Sequence, residues 1–236
     1  MARKYKSLFA FCLLIMSSFY CVNAKVNVYA ANRDAGKYIA LTFDDGPHPV
    51  YTEKILDILN ENDAKGTFFV VGKNAESYPE LLLREHNEGH EIGNHTYSHP
   101  DMNKISADRA VEEILLTQGI IENITGKRPV LFRAPGGNFS DELVLRMEKL
   151  EYKPVSWSWR QDTLDWKKRP ACEIVNAVIS NIQNGDIILF HDFNTDGSPT
   201  PEALEILIPK LKSMGFSFVT VSELLSLNQL QSTMNK

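Results

Sequence analysis

Cysteine is scarce in this chain: of three in 236 residues, Cys12 and Cys21 lie near the N-terminus and only Cys172 lies beyond it. Without residues 1–24, no internal disulfide can form, so the fold must rest on its apolar core, and Cys172 reads as an inert helix residue. Neither Cys12 nor Cys21 follows the small-residue pattern of a lipoprotein cleavage site. Apolar runs of spanning length are missing too, and so are internal repeats and low-complexity tracts. The longest apolar stretch, from Leu8 to Val22, is broken by Ser17 and Ser18 and falls short of the roughly 20 residues a stable membrane helix needs. Excess positive charge is also lacking, with 25 Lys and Arg against 30 Asp and Glu. That balance argues against nucleic acid as a partner and is compatible with neutral sugars.

The short apolar stretch follows Arg3, Lys4 and Lys6, which is the layout of a secretory signal peptide. Small-residue contexts at Val22-Asn23-Ala24 and Val28-Tyr29-Ala30 mark residues 1–24 as the signal, with a second context allowing cleavage as late as residue 30. An uncleaved anchor is the less favoured reading, and either one puts the chain's chemistry outside the membrane. Once the signal is cleaved, no stable membrane partner is expected. Removing 1–24 leaves 22 basic against 30 acidic residues, a balance of −8. Residues 25–36 read as a linker, 37–228 as one catalytic domain and 229–236 as a polar tail; about 200 residues suffice for a well-buried core.

Across 37–228, β-rich runs alternate with amphipathic stretches, the pattern of repeated βα units around a parallel sheet. Strands are expected at 38–43, 67–71, 91–94, 130–134, 153–157, 186–190 and 216–219. Helices are expected at 52–60, 79–88, 107–125, 141–150, 172–183, 201–214 and 222–227. Ser106, Ser140 and Thr200 stand where an N-cap acceptor belongs, Pro201 suits a first helical position, and Gly215 suits a left-handed C-cap. Alternation alone leaves a distorted barrel and an open doubly wound sheet both available. In either, ligands gather beyond the carboxyl ends of the strands.

Polar residues cluster at those ends: Asp44 and Asp45 after the first strand, His95 and His99 after the third, Arg133 at the fourth. Asp162, Asp165 and Trp166 follow the fifth, and His191 and Asp192 follow the sixth. The His95/His99 spacing lets two imidazoles approach one ion, and a carboxylate from the Asp44-Asp45 pair completes a two-His, one-carboxylate set with open positions. The neighbouring aspartate, pointing elsewhere, is free to act as a base. A general acid fits His191.

The segments Thr42-Phe43-Asp44-Asp45-Gly46-Pro47, His95-Thr96-Tyr97-Ser98-His99, Arg133-Ala134-Pro135-Gly136-Gly137, Asp162-Thr163-Leu164-Asp165-Trp166 and Leu189-Phe190-His191-Asp192 resemble, in order and spacing, the five motifs of the NodB-homology polysaccharide deacetylases, carbohydrate esterase family 4. The resemblance covers roughly residues 38–225. It implies a distorted (β/α) barrel of about seven parallel strands. It also implies one divalent ion on Asp45, His95 and His99, zinc first and cobalt or manganese as alternatives. Asp44 becomes the general base, positioned by Arg133, and His191 the general acid, oriented by Asp165. Trp166 and Leu189 would line the pocket for the acetyl methyl, and a backbone amide after Pro135 would help hold the oxyanion. Gly136 is a departure, because many relatives carry tyrosine there; an aromatic wall of the sugar groove is then missing.

The expected activity is removal of N-acetyl groups from an amino-sugar polysaccharide, with export favouring peptidoglycan. Chitin oligomers, acetylated xylan and carbohydrate binding without turnover are the alternatives. A two-His, one-carboxylate iron oxygenase is disfavoured because its usual β-rich scaffold does not match the βα alternation.

Overall fold

The computed structural model describes residues 27–234 except Lys168 and Asp196, with side chains described only as far as Leu227. The expected signal peptide with its cleavage context at Ala24, together with Cys12 and Cys21, lies outside the described residues.

The described residues form seven parallel strands: β1 (Tyr38–Asp44), β2 (Gly66–Val70), β3 (Glu91–Asn94), β4 (Leu131–Phe132), β5 (Lys153–Pro154), β6 (Ile187–His191) and β7 (Ser217–Phe218). Between and after them run α1 (Tyr51–Glu61), α2 (Gly72–Ser77), α3 (Pro79–Asn87), α4 (Ala107–Thr125), α5 (Asp141–Lys149), α6 (Ala171–Asn181), α7 (Thr200–Ser213) and α8 (Val221–Met234). The sheet order is β5-β4-β3-β2-β1-β6, with β7 pairing only the first residues of β1. The expectation of a distorted barrel therefore holds, as a curled parallel sheet with helices packed around it. Among the described residues no helix is long and apolar enough to cross a membrane.

Period-two alternation sorts the strand residues between two environments. Ile39, Leu41 and Phe43 of β1, Phe68 and Val70 of β2, and Ile188 and Phe190 of β6 face the helices and are buried among them. Phe43 stacks on Phe68 at 4.8 Å and on Phe190 at 5.9 Å between ring centroids, tying three neighbouring strands together. Each such ring contributes roughly 1.5–3 kcal/mol through burial alone. The opposite set, Ala40, Phe69, Leu131, Val155 and Ile187, meets Val221 and Leu224 of α8 inside the curl. Further along this inner face, towards the carboxyl ends, apolar residues give way to Thr42, Asp44, Arg133 and His191.

The expected caps at Ser106 and Ser140 are present, their hydroxyls accepting from the amides of Arg109 and Leu143. Gly215 follows α7 at φ +85°, where a left-handed residue is needed. Four expectations need correction. The strands at 130–134, 153–157 and 216–219 shorten to two residues each, and α2 was not expected at all. Residues 25–36, read as a linker, are from Tyr29 onward part of the domain. The Tyr29 amide donates to Pro154 O (2.9 Å), Ser156 N donates to Tyr29 O (2.8 Å), and Asn32 N donates to Gly185 O (2.9 Å). This strap lies between β5 and β6 and closes the side the sheet leaves open. Finally, α8 runs on to Met234 through most of the stretch read as a polar tail.

Candidate metal and acid–base site

Asp44 ends β1 directly opposite His191, which ends β6. The next residue, Asp45, leaves the strand at φ +81°, so the two adjacent carboxylates diverge. Asp44 Oδ1 accepts from Arg133 Nη1 at 2.7 Å. The guanidinium is wholly buried, and it also donates to Thr42 Oγ1 (2.8 Å) and Ser156 O (3.0 Å) and lies 4.1 Å from the centre of the Phe69 ring. A permanent cation is thus fixed against one oxygen of Asp44. The other, Oδ2, lies 3.9 Å from His95 Nε2.

Asp45 is treated differently. Its Oδ1 is buried and, among the described residues, receives no hydrogen bond of good geometry. Facing it are His95 Nε2 at 3.3 Å and His99 Nε2 at 3.2 Å. Donor atoms about 2.0–2.1 Å from a tetrahedral ion lie roughly 3.3–3.4 Å apart, so this spacing is that of ligands around one ion. His95 Nδ1 sits 2.8 Å from Arg133 O; a proton there leaves the Nε2 lone pair free for a metal. Two imidazole nitrogens and one carboxylate oxygen fit a divalent transition metal, so Asp45, His95 and His99 could hold one. Burial by itself raises the Asp45 carboxyl's pKa, but His95 and His99 more than offset it and hold the group below the usual carboxylate range.

Across the mouth, His191 Nδ1 lies 2.7 Å from Asp165 Oδ1, and the His191 amide donates to Asp165 Oδ2 at 2.8 Å. Burial pushes the imidazole's pKa down, yet Asp165, with Asp44 and Asp45 at longer range, reverses this and raises it to about 9. Thr200, expected as a helix cap, is instead the first residue of α7, and its hydroxyl donates to Asp165 Oδ2 at 2.6 Å. A buried, ionised acceptor attracts that hydroxyl more strongly than a solvated amide of the first turn does.

The sequence-predicted residues therefore gather into two linked groups, Asp44–Arg133 with Asp45–His95–His99, and His191–Asp165. Pro135 and Gly136 border a cavity of about 420 Å³ beside His99, together with Asn103 and Asn138. Trp166 and Leu189 do not line that cavity. Leu189 is buried on the inner face of β6 two residues before His191, while Trp166 is 53% exposed on a 3₁₀ turn, its amide donating to Asp165 Oδ1. Gly136 has φ +65°, and a Cβ there would lie 3.0 Å from Asn138 Nδ2. Gly136→Tyr should accordingly cost about 1–2 kcal/mol of stability through the left-handed backbone. A Tm equal to the parent's in thermal denaturation would contradict this.

Three positioning residues escaped the sequence reading. Glu113 Oε2 accepts from Tyr97 N (3.1 Å), Ser98 N (2.7 Å) and Ser98 Oγ (3.0 Å), pinning the loop between the two histidines. Its signal was available, since Glu113 interrupts the buried stripe Ala110, Ile114, Thr117 and Ile121 of α4. Asn74 of α2 donates to Asp45 O at 2.7 Å. Asp192, noted only as His191's neighbour, accepts from Gly46 N (2.9 Å) and Thr52 Oγ1 (2.5 Å), and its burial pushes its pKa up to about 7. A Cβ on Gly46 would collide with the Asp192 carboxylate at 2.0 Å, so the glycine allows this clamp.

Such a constellation, a triad that could hold a metal ion flanked by a cation-held carboxylate and a carboxylate-held imidazole, has the donor set and acid–base groups of a hydrolase. The chain belongs to the polysaccharide deacetylase family, whose sequence profile matches residues 31–155. This places it among the hydrolases of carbon–nitrogen bonds other than peptide bonds. It is 43% identical over 189 residues to a peptidoglycan-N-acetylglucosamine deacetylase of Bacillus cereus, covering 80% of this chain and 88% of that protein. It is also 43% identical over 188 residues to PdaC of Bacillus subtilis, a peptidoglycan-N-acetylmuramic acid deacetylase; the match covers 80% of this chain and 38% of PdaC's length. The solved PdaC structure matches with a TM-score of 0.76 at 39% identity, covering 87% of this chain and 97% of that one. A family 4 acetyl xylan esterase from Clostridium thermocellum, solved with a cobalt ion, matches with a TM-score of 0.73 at 39% identity over 81% and 91% of the two chains.

Proposed function

We propose that this protein is an exported, metal-dependent N-deacetylase that hydrolyses acetamide groups of amino sugars in peptidoglycan. The observation that carries the reading is the unequal setting of two adjacent aspartates: Asp44 is held by Arg133, whereas Asp45 Oδ1 receives no hydrogen bond of good geometry among the described residues and faces two imidazole nitrogens. A divalent ion on Asp45, His95 and His99, zinc in the first instance and cobalt or manganese otherwise, would supply a Lewis acid and a water of lowered pKa.

The chain's own residues do the rest. Asp44, through the oxygen that Arg133 leaves free, takes a proton from the attacking water as its oxygen bonds to the acetamide carbon. The Gly136 amide, next to Pro135, offers a donor to the resulting oxyanion. His191, with Nδ1 committed to Asp165, gives the proton on Nε2 to the departing nitrogen as the carbon–nitrogen bond breaks. Acetate and a free amino sugar result. Leu189, two residues before His191 on β6, and Trp166, next to Asp165 in the chain, are the apolar side chains proposed to receive the acetyl methyl. The peptidoglycan reading is supported by the relatives named for that polymer and by the signal-like N-terminal sequence.

Acetate released per enzyme from peptidoglycan strands, chitin oligomers and acetylated xylan tests the proposal. Peptidoglycan is expected to exceed xylan. Preference for xylan overturns the amide assignment, and preference for chitin oligomers keeps the chemistry while refuting the cell-wall substrate. No acetate from any of the three would favour a carbohydrate-binding protein. Exhaustive chelation should abolish release, and zinc, cobalt or manganese should restore it. Undiminished activity in demetallated protein removes the ion from the mechanism.

A further inference from the structure

We propose that a groove around Trp159, outside the catalytic mouth, is a second binding site for the anionic glycan strand; the choice of polymer rests on the peptidoglycan reading above. Trp159 is 85% exposed, more than any other large apolar side chain among the described residues. It stands on a tight turn in which Gln161 N donates to Ser158 O at 2.9 Å. Both ends of that turn are anchored from within. Ser158 Oγ donates to Ala30 O (2.7 Å) and accepts from Ile187 N (3.0 Å), while Gln161 Nε2 donates to Asp186 Oδ2 (3.0 Å). Ser158 and Gln161 are each 1% exposed, so the middle residues, Trp159 and Arg160, are the ones presented to solvent.

Arg160 keeps φ +67°, a left-handed conformation that costs a non-glycine residue about 1 kcal/mol or more. Beside the turn lies a groove of about 430 Å³ lined by Arg33, Trp159, Arg160, Ser180, Asn181 and Gln183 among others. Arg33 is fixed in place, Nη1 donating to Asp186 Oδ1 (2.5 Å) and Asn184 O (3.0 Å).

The chemistry of this groove is that of a sugar site. An exposed indole carried on an anchored turn offers a flat apolar surface to the C–H face of a pyranose, and hydroxyl and amide groups beside it match sugar hydroxyls. Arg33 is paired with the buried Asp186, so the sign of the patch rests on Arg160, which no acidic residue faces among those lining the groove; in a chain of net charge −5 this local positive charge suits the carboxylates that a lactyl- and peptide-bearing glycan carries. The groove sits level with Asp186, five residues before His191 along β6, and so about 16 Å from the mouth at 3.3 Å per residue. A strand held there raises the effective concentration of its acetamides at the mouth.

The test is co-sedimentation of the full chain, Trp159→Ala and Arg160→Gly with insoluble peptidoglycan stripped of other wall polymers. Acetate release from short soluble N-acetylglucosamine oligomers and pelleting with anionic phospholipid vesicles are run in parallel. Trp159 is exposed, and glycine suits the backbone at position 160, so both variants should fold. Several-fold less pelleting of both variants, with oligomer rates unchanged, is the expected result. Pelleting equal to the parent's overturns the proposal. So does Trp159-dependent binding to vesicles but not to peptidoglycan, which would make the groove a membrane contact. A parallel fall in oligomer turnover would merge it with the catalytic site. If the parent releases no acetate from peptidoglycan yet pelleting still depends on Trp159, the glycan site stands and the substrate reading alone falls.

Discussion

Asp44→Asn should retain the divalent ion and lose turnover by about 10²–10⁴-fold, the usual worth of a general base. Asp45→Ala should lose the ion itself, because it removes the oxygen between His95 Nε2 and His99 Nε2. Metal content of dialysed protein, measured beside kcat, separates the two. Asparagine keeps an acceptor for Arg133 while removing the charge that compensates a wholly buried guanidinium. A stability loss of up to about 3–5 kcal/mol therefore accompanies the substitution. That is within the 5–15 kcal/mol typical of a domain, so the variant should fold at room temperature, which circular dichroism checks. If Asp44→Asn turned over near the parent rate, or if its inactivity traced wholly to lost metal, Asp44 would not be the base.

The second large effect concerns the acid. His191 must carry a proton to deliver one, and with its pKa raised to about 9 it does so through neutrality, losing it as pH rises through that value. Asp165→Asn removes the carboxylate 2.7 Å from Nδ1 and leaves the burial, which lowers the pKa. The alkaline limb of kcat should then move to lower pH, with turnover at mildly alkaline pH falling by roughly 10–100-fold. A bound dication shifts the limb down in both proteins, so their difference is the readout. The sign for stability is the same. A folded pKa above the unfolded value makes the His191–Asp165 contribution complete below about pH 6.5 and lost as pH rises through about 9. Unchanged alkaline limbs in the two proteins would mean that His191 is not the acid, or that Asp165 does not tune it.

The sequence made the mouth legible because its residues stand at strand ends in short, ordered segments, and a parallel βα chain brings such ends together whatever the loops between them do. Asp44, Arg133, His95 and His191 needed only correct strand assignments. The helix caps at Ser106 and Ser140 were legible for a similar reason, since their partners lie three residues away. What escaped depends on long-range partners. Thr200 has the right residue type for a cap, but Asp165, 35 positions earlier, is the stronger acceptor. The strap at Tyr29 has no alternation to betray it, because it pairs through isolated bridges to Val155 and through Ala31 to Asp186. Short α2 carries no amphipathic period, and its contribution through Asn74 is visible only once Asp45 O is located beside it.

Arg133 serves the mouth from both of its ends. Its carbonyl oxygen meets the ring of His95, and its guanidinium grips Asp44. The offset between His95 and the Asp44 carboxylate, the proposed ligand and the proposed base, is thereby spanned by one amino acid hydrogen-bonded to both. Lysine at position 133 would keep the carbonyl end and the charge but lose the guanidinium that reaches Thr42, Asp44 and Ser156 together, uncoupling the two halves of the ruler.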